Sequence, residues 1–194
     1  VIEVDLSAVQ AFLGRVSDPV PRGEANNVRI DSALRAIMFT DIVGSTSMTE
    51  RLGDARSVEM VRAHDALVRR ALKDKDGHVV KHTGDGIMAS FADAAASVQC
   101  ARSIQQAFEA FNLASEEKLQ VRIGIDVGEP IADSNDLFGA TVQLAARLCQ
   151  LAEPDAILVS SAVQDRIRDR LHVTNIGPCH LKGFLQPVDV YGIE

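Results

Sequence analysis

From Leu34 onward, short apolar runs alternate with stretches of helical periodicity, and this alternation restricts the chain to a sheet covered by helices. Ala36-Ile37-Met38-Phe39 is the first such run, and residues 34–40 read as a buried strand. Residues 45–52 and then 54–73 read as helices, the second with apolar residues at Val58, Val61, Leu67, Val68, Ala71 and Leu72. Residues 78–81 and 87–91 are short strands on either side of Thr83-Gly84-Asp85-Gly86, a tight hairpin turn. A helix over 93–113, a strand over 119–127, a helix over 139–151 that stops before Pro154, a strand over 156–160, a short helix over 161–169 and a strand over 188–193 complete the pattern. The expected fold class is α+β: a ferredoxin-like mixed β-sheet with flanking helices on one side and an arm near the C-terminus.

Residues 1–33 read differently. Val9, Phe12, Leu13 and Val16 form a short helical pattern, followed by Asp18-Pro19-Val20-Pro21-Arg22-Gly23 and Asn26-Asn27. Proline, glycine and asparagine in such density mark a linker. The expected organisation is an N-terminal extension from an upstream regulatory module (1–33) and one domain (34–194). The chain opens on Val1 with no basic start, so a fragment or a processed chain is expected rather than a signal peptide.

Bulk properties exclude some partners. A net charge of −7 argues against nucleic acid, whose phosphates require clustered Lys and Arg. No apolar run reaches the roughly 20 residues of a membrane span. Cys100, Cys149 and Cys179 are far apart and odd in number, and the first two fall on apolar helix faces. Buried free thiols and a cytoplasmic setting follow.

The chemistry concentrates at two acidic positions. Asp41 ends the first strand, ahead of the small-residue turn Ile42-Val43-Gly44-Ser45-Thr46, and Asp85 sits in the hairpin turn. Two strand-end carboxylates beside such a turn can hold Mg²⁺ against a polyphosphate. Gly44, Ser45 and Thr46 let backbone N–H groups and a helix start approach an anion. The alternatives are a helix cap at Asp41 and ordinary turn chemistry at Asp85. Gln143, Arg147 and Gln150, at i, i+4 and i+7, share one helix face. The five histidines show no zinc-ligand spacing.

Several segments together resemble the class III nucleotidyl cyclase catalytic domain, in the family's order and over residues 34–194. They are Phe39-Thr40-Asp41-Ile42-Val43-Gly44-Ser45-Thr46, Lys81-His82-Thr83-Gly84-Asp85-Gly86, Asp136-Leu137-Phe138-Gly139, Val142-Gln143-Leu144-Ala145-Ala146-Arg147 and Leu181-Lys182-Gly183-Phe184. The resemblance implies the nucleotidyl cyclase fold and conversion of ATP to 3′,5′-cyclic AMP and pyrophosphate. It implies that Asp41, Asp85 and the Ile42 carbonyl bind two Mg²⁺ or Mn²⁺ ions, and that Val43, Gly44, Ser45 and Thr46 cradle the β- and γ-phosphates. By the same resemblance Lys81 and Asp136 read adenine, Lys182 meets the polyphosphate and Arg147 stabilises the transition-state phosphate. Guanine would mismatch both base-reading groups, at about 1–3 kcal/mol for each buried group left unpaired.

Gln143 stands where the family has an asparagine that orients the ribose, and its longer reach can cost on the order of a hundredfold in rate. The resemblance further implies a homodimer, with the metal aspartates from one subunit and Lys81, Asp136, Gln143 and Arg147 from the other. An upstream module acting through Pro19-Val20-Pro21 would then gate activity. The competing expectation is an ATP-binding regulatory domain with negligible turnover, which Gln143 favours. A diguanylate cyclase is disfavoured, because no Gly-Gly-Asp/Glu-Glu-Phe-like signature occurs.

Overall fold

The computed structural model describes residues 33–168 and 171–194, so all but Ala33 of the extension expected at 1–33 lies outside the described residues. The elements run β1 (Arg35–Ile42), α1 (Ser45–Leu52), α2 (Asp54–Lys73), β2 (His78–His82), β3 (Gly86–Phe91), α3 (Ala94–Ala114), β4 (Val121–Gly128), β5 (Ile131–Asp133), β6 (Asp136–Phe138), α4 (Ala140–Leu151), β7 (Ile157–Ser160), α5 (Ser161–Ile167), β8 (Val173–Cys179) and β9 (Val188–Ile193). Seven strands form one sheet in the order β2-β3-β1-β4-β7-β9-β8, and β5 and β6 form a separate hairpin. The β4–β7 pair is parallel and the other pairs are antiparallel, so the sheet is mixed as expected.

The alternation of the central strands divides the apolar residues between two faces. Met38 and Ile42 of β1, Ile87 and Phe91 of β3, and Ile123 and Ile125 of β4 are buried in the main core. They pack there with Val68 and Leu72 of α2, Ile104 and Phe108 of α3, and Val163 and Ile167 of α5. Ile37, Met88 and Leu158 point the other way, into smaller clusters with Ala145 and Leu148 of α4. The expected one-sided cover is therefore corrected: α2, α3 and α5 lie on one face and α4 on the other.

Gly124 makes the second layer possible. A Cβ at this position would lie 2.1 Å from the Cys149 backbone nitrogen and 2.4 Å from the Ala145 carbonyl oxygen, so only glycine lets α4 settle this closely on β4. Both apolar-face thiols are free and buried, and burial pushes each up to about 12, which keeps them inert. Strands β5, β6 and β8 were not expected from the sequence. No helix among the described residues is long and apolar enough to cross a membrane.

Candidate active site

Strand pairing assembles the site. Asp41, near the end of β1, is directly opposite Gly86 on β3 and Arg122 on β4. Its side chain shares the α4 face with that of Arg122, and the guanidinium closes on Asp41 Oδ2 through Nε at 2.8 Å and Nη2 at 2.6 Å. Arg122 Nη1 also donates to the Gln150 carbonyl at 3.2 Å, tying the pair to the end of α4. Asp85 leads into β3, and the Ser45 hydroxyl donates to its Oδ2. The two carboxyls are close enough to interact. Burial pushes Asp41 above its ordinary value and the Asp85 charge adds to this, while Arg122 pulls the other way.

Between these groups lies an open cleft of about 660 Å³, lined among others by Asp41, Ile42, Gly44, Ser45, Thr46 and Asp85. Arg122, Ala146, Cys149 and Gln150 form its opposite wall. Ile42 is 2% exposed, and its side chain belongs to the core. Gly44 starts α1 at φ 67°, a left-handed conformation suited to glycine, and no side chain caps this end. The first intrahelical bond runs from Met48 N–H to Gly44 O, so the Ser45, Thr46 and Ser47 amides precede it and face outward from the helix start. Val43 is different: its N–H donates to Gln120 O at 2.9 Å, which removes it from the set of available phosphate donors.

The donor set suits a hard divalent cation. Asp41 and Asp85, two interacting carboxyl groups on one cleft, offer oxygen ligands alone. Among the described residues no third carboxylate, histidine or cysteine joins them as a candidate ligand group. Remaining positions around any ion would fall to water or to phosphate oxygens.

The other expected residues lie elsewhere on the chain. Lys81 Nζ donates to Asp136 Oδ2 at 2.5 Å, and the ammonium lies 5.6 Å from the Phe138 ring centroid. Partial burial works against ionisation of Asp136, but the bonds from Lys81 and the Leu137 N–H outweigh it and hold the carboxyl below its ordinary value. Arg147 donates from Nε to the Lys182 carbonyl at 3.0 Å and from Nη1 to Gln150 Oε1 at 2.6 Å. Gln143 and the Lys182 side chain are exposed. None of Lys81, Asp136, Gln143, Arg147 or Lys182 lines the Asp41–Asp85 cleft within one chain.

Arg122 is the site residue that sequence reasoning missed. Strand alternation places it facing away from Val121, Ile123 and Ile125, but only the β1–β4 register reveals that this direction leads to Asp41.

Comparison with known proteins bears on the family and the fold. A family model described as the adenylate and guanylate cyclase catalytic domain matches residues 31–194. An adenylate cyclase from Streptomyces coelicolor is 31% identical over 137 residues, which cover 70% of this chain and 35% of that protein's length. The fold matches the crystal structure of an adenylate/guanylate cyclase/hydrolase from Silicibacter pomeroyi, with TM-score 0.74, 34% identity and coverage of 82% of this chain and 95% of that one. It also matches the adenylyl cyclase CyaB from P. aeruginosa, with TM-score 0.76, 23% identity and coverage of 83% and 93%.

Proposed function

The chain belongs to the adenylate and guanylate cyclase catalytic-domain family, and from that membership we propose that it is an adenylate cyclase, forming 3′,5′-cyclic AMP and pyrophosphate from ATP. The observation that carries this reading is the convergence of Asp41 and Asp85 on a cleft that also holds the open start of α1.

Two divalent cations, Mg²⁺ or Mn²⁺, held by Asp41, Asp85 and the Ile42 backbone, would supply charge neutralisation at the phosphates and activation of the ribose 3′-hydroxyl. The chain's own groups do the rest. Gly44, Ser45 and Thr46 bring the polyphosphate to the positive end of α1. Arg122, with five donors in a planar fork, moves from Asp41 toward phosphate oxygens once that carboxylate is otherwise engaged. Lys81 donates to adenine N1 and Asp136 accepts from the exocyclic amine. Their contact at 2.5 Å keeps a donor and an acceptor side by side before any base arrives. Guanine presents the opposite pattern, so ATP is favoured over GTP.

Because Lys81, Asp136 and Arg147 do not line this chain's own cleft, the reading requires a second copy to bring them to it. A two-fold homodimer does so twice. Arg147, braced by Lys182 O and Gln150, is then the group offered to charge developing on the transferred phosphate. A cytoplasmic setting, where ATP is plentiful and thiols stay reduced, fits the three free cysteines.

The test is product formation with Mn²⁺ and either ATP or GTP, with Asp41→Ala as the control. Cyclic AMP well above that control, with little cyclic GMP, is the expected result. Bound ATP with no product would select the second reading, a regulatory nucleotide-binding domain, which the exposed Gln143 favours.

A further inference from the structure

We propose that His64 is a positioning residue for the cation-binding edge of the sheet, fixing the Thr40 hydroxyl beside Asp41 through a hydrogen-bonded chain of defined direction that runs from exposed Arg69 to the buried Thr40. The proposal rests on the cyclase reading only for the identity of what Asp41 and Asp85 bind.

His64 projects from α2 into the core with no exposed surface, its ring tilted against Phe108 at a centroid distance of 5.7 Å. Nε2 lies 3.2 Å from Thr40 Oγ1, and Nδ1 lies 3.1 Å from Asp65 Oδ1. The second Asp65 oxygen is 3.2 Å from His82 Nδ1. Arg69 Nη2 is 2.6 Å from His82 Nε2. At the inner end, the Ile87 N–H donates to Thr40 Oγ1 at 3.0 Å.

The direction of every link is forced by the groups themselves. Arg69 can only donate, so His82 Nε2 accepts and the His82 proton sits on Nδ1. The Asp65 carboxylate accepts from both imidazoles, which places the His64 proton on Nδ1 as well. Burial pushes His64 below its ordinary value, so the ring is neutral and its Nε2 accepts. The donor there is therefore the Thr40 hydroxyl, whose oxygen keeps a lone pair for the Ile87 N–H. Reversing the buried Thr40–His64 link in the neutral ring would set a bare Nδ1 against the Asp65 carboxylate.

A threonine, histidine and carboxylate in a row resembles a nucleophilic relay. Thr40 is 1% exposed, however, and its proton is committed to His64, so no substrate atom reaches it. The role is geometric. Thr40 opposite Ile87 is the rung next to Asp41 opposite Gly86, and Asp85 precedes that glycine. His82 follows Lys81 on β2. The chain therefore ties α2 to the three strands whose ends carry Asp41, Asp85 and Lys81.

The experiment is a double-mutant cycle on the full chain with Thr40→Val, His64→Phe and the pair, plus His64→Gln, whose amide oxygen can still accept from Thr40. Mn²⁺ affinity is measured by calorimetry with an ATP analogue that cannot cyclise, alongside cyclic AMP turnover and the thermal midpoint. Each single change is expected to weaken Mn²⁺ binding by about tenfold. The pair should cost no more than the worse single change, and His64→Gln should recover part of the loss. Long-range ¹H–¹⁵N correlation spectra of the unmodified chain should show His64 and His82 both protonated at Nδ1, a signature that does not depend on whether the Phe variant folds. Unchanged Mn²⁺ affinity in folded variants, or an Nε2-protonated His64, overturns the proposal. An unmodified chain that binds Mn²⁺ without making cyclic AMP defeats the cyclase reading alone, whereas variants with normal Mn²⁺ affinity in an active chain defeat this one alone. An unmodified chain that binds no Mn²⁺ defeats both.

Discussion

Asp41 and Asp85 sit close together in a cleft, a placement that disfavours two negative charges, and Arg122 is the cation set against it. The guanidinium reaches Asp41 with two nitrogens while braced on the end of α4, so removing it leaves a half-buried carboxylate beside a second one. Arg122→Met is therefore expected to lower stability by about 1–3 kcal/mol at neutral pH. Mn²⁺ alone should return more of the thermal midpoint in this variant than in the unmodified chain. Equal gains would show that Arg122 does not relieve the carboxylates. The two aspartates, and the small residues at 44–46, were readable because their chemistry is local: an acid at the end of an apolar run, then a turn. Arg122 was not, because its role depends on which strand lies beside β1, and that pairing spans a sequence separation of 81 residues. The bond from the Val43 amide to Gln120, on an adjoining segment, was hidden for the same reason.

At the level of elements, α1 and α2 fall where helical periodicity places them, and Gly53 between them supplies the break. Strands β5 and β6 are three residues each and turn through Ser134 and Asn135 at positive φ, too short for any alternation to register. Strand β8 is hidden for a different reason. It is the sheet's edge, mostly exposed, with a register shift before Gly177 and a proline at 178, features that argue against a strand when read alone. The second face of the sheet was signalled by Gly124, since glycine within an apolar strand marks close backbone approach. Gly124→Ala tests that account. The added methyl must push α4 away from β4, with an expected loss of about 1–3 kcal/mol, and α4 also carries Gln143, Arg147 and the Gln150 wall of the cleft. A thermal midpoint that does not fall would show that the two layers are less closely fitted than described.

The whole molecule presents its chemistry in two separated parts. Asp41, Asp85 and the start of α1 face one cleft, while the Lys81–Asp136 pair and the Arg147–Lys182 contact lie outside it. Among the described residues of one chain, Lys81, Asp136, Arg147 and Lys182 do not line the cleft, and the proposed reaction therefore uses two copies. The fold class could be read from periodicity and motif order because each acts over a few tens of residues. The proposed sharing of a site between two copies leaves no local mark and entered only by resemblance.

The most direct test of this account mixes two inactive variants, Asp41→Ala and Arg147→Ala, and measures cyclic AMP formed from ATP with Mn²⁺. Each variant alone should be nearly silent. Random pairing makes half the dimers mixed, each with one intact site of two, so the mixture should recover about a quarter of the unmodified activity. A mixture as silent as its components, under conditions where the chains exchange, would contradict a site built between two copies.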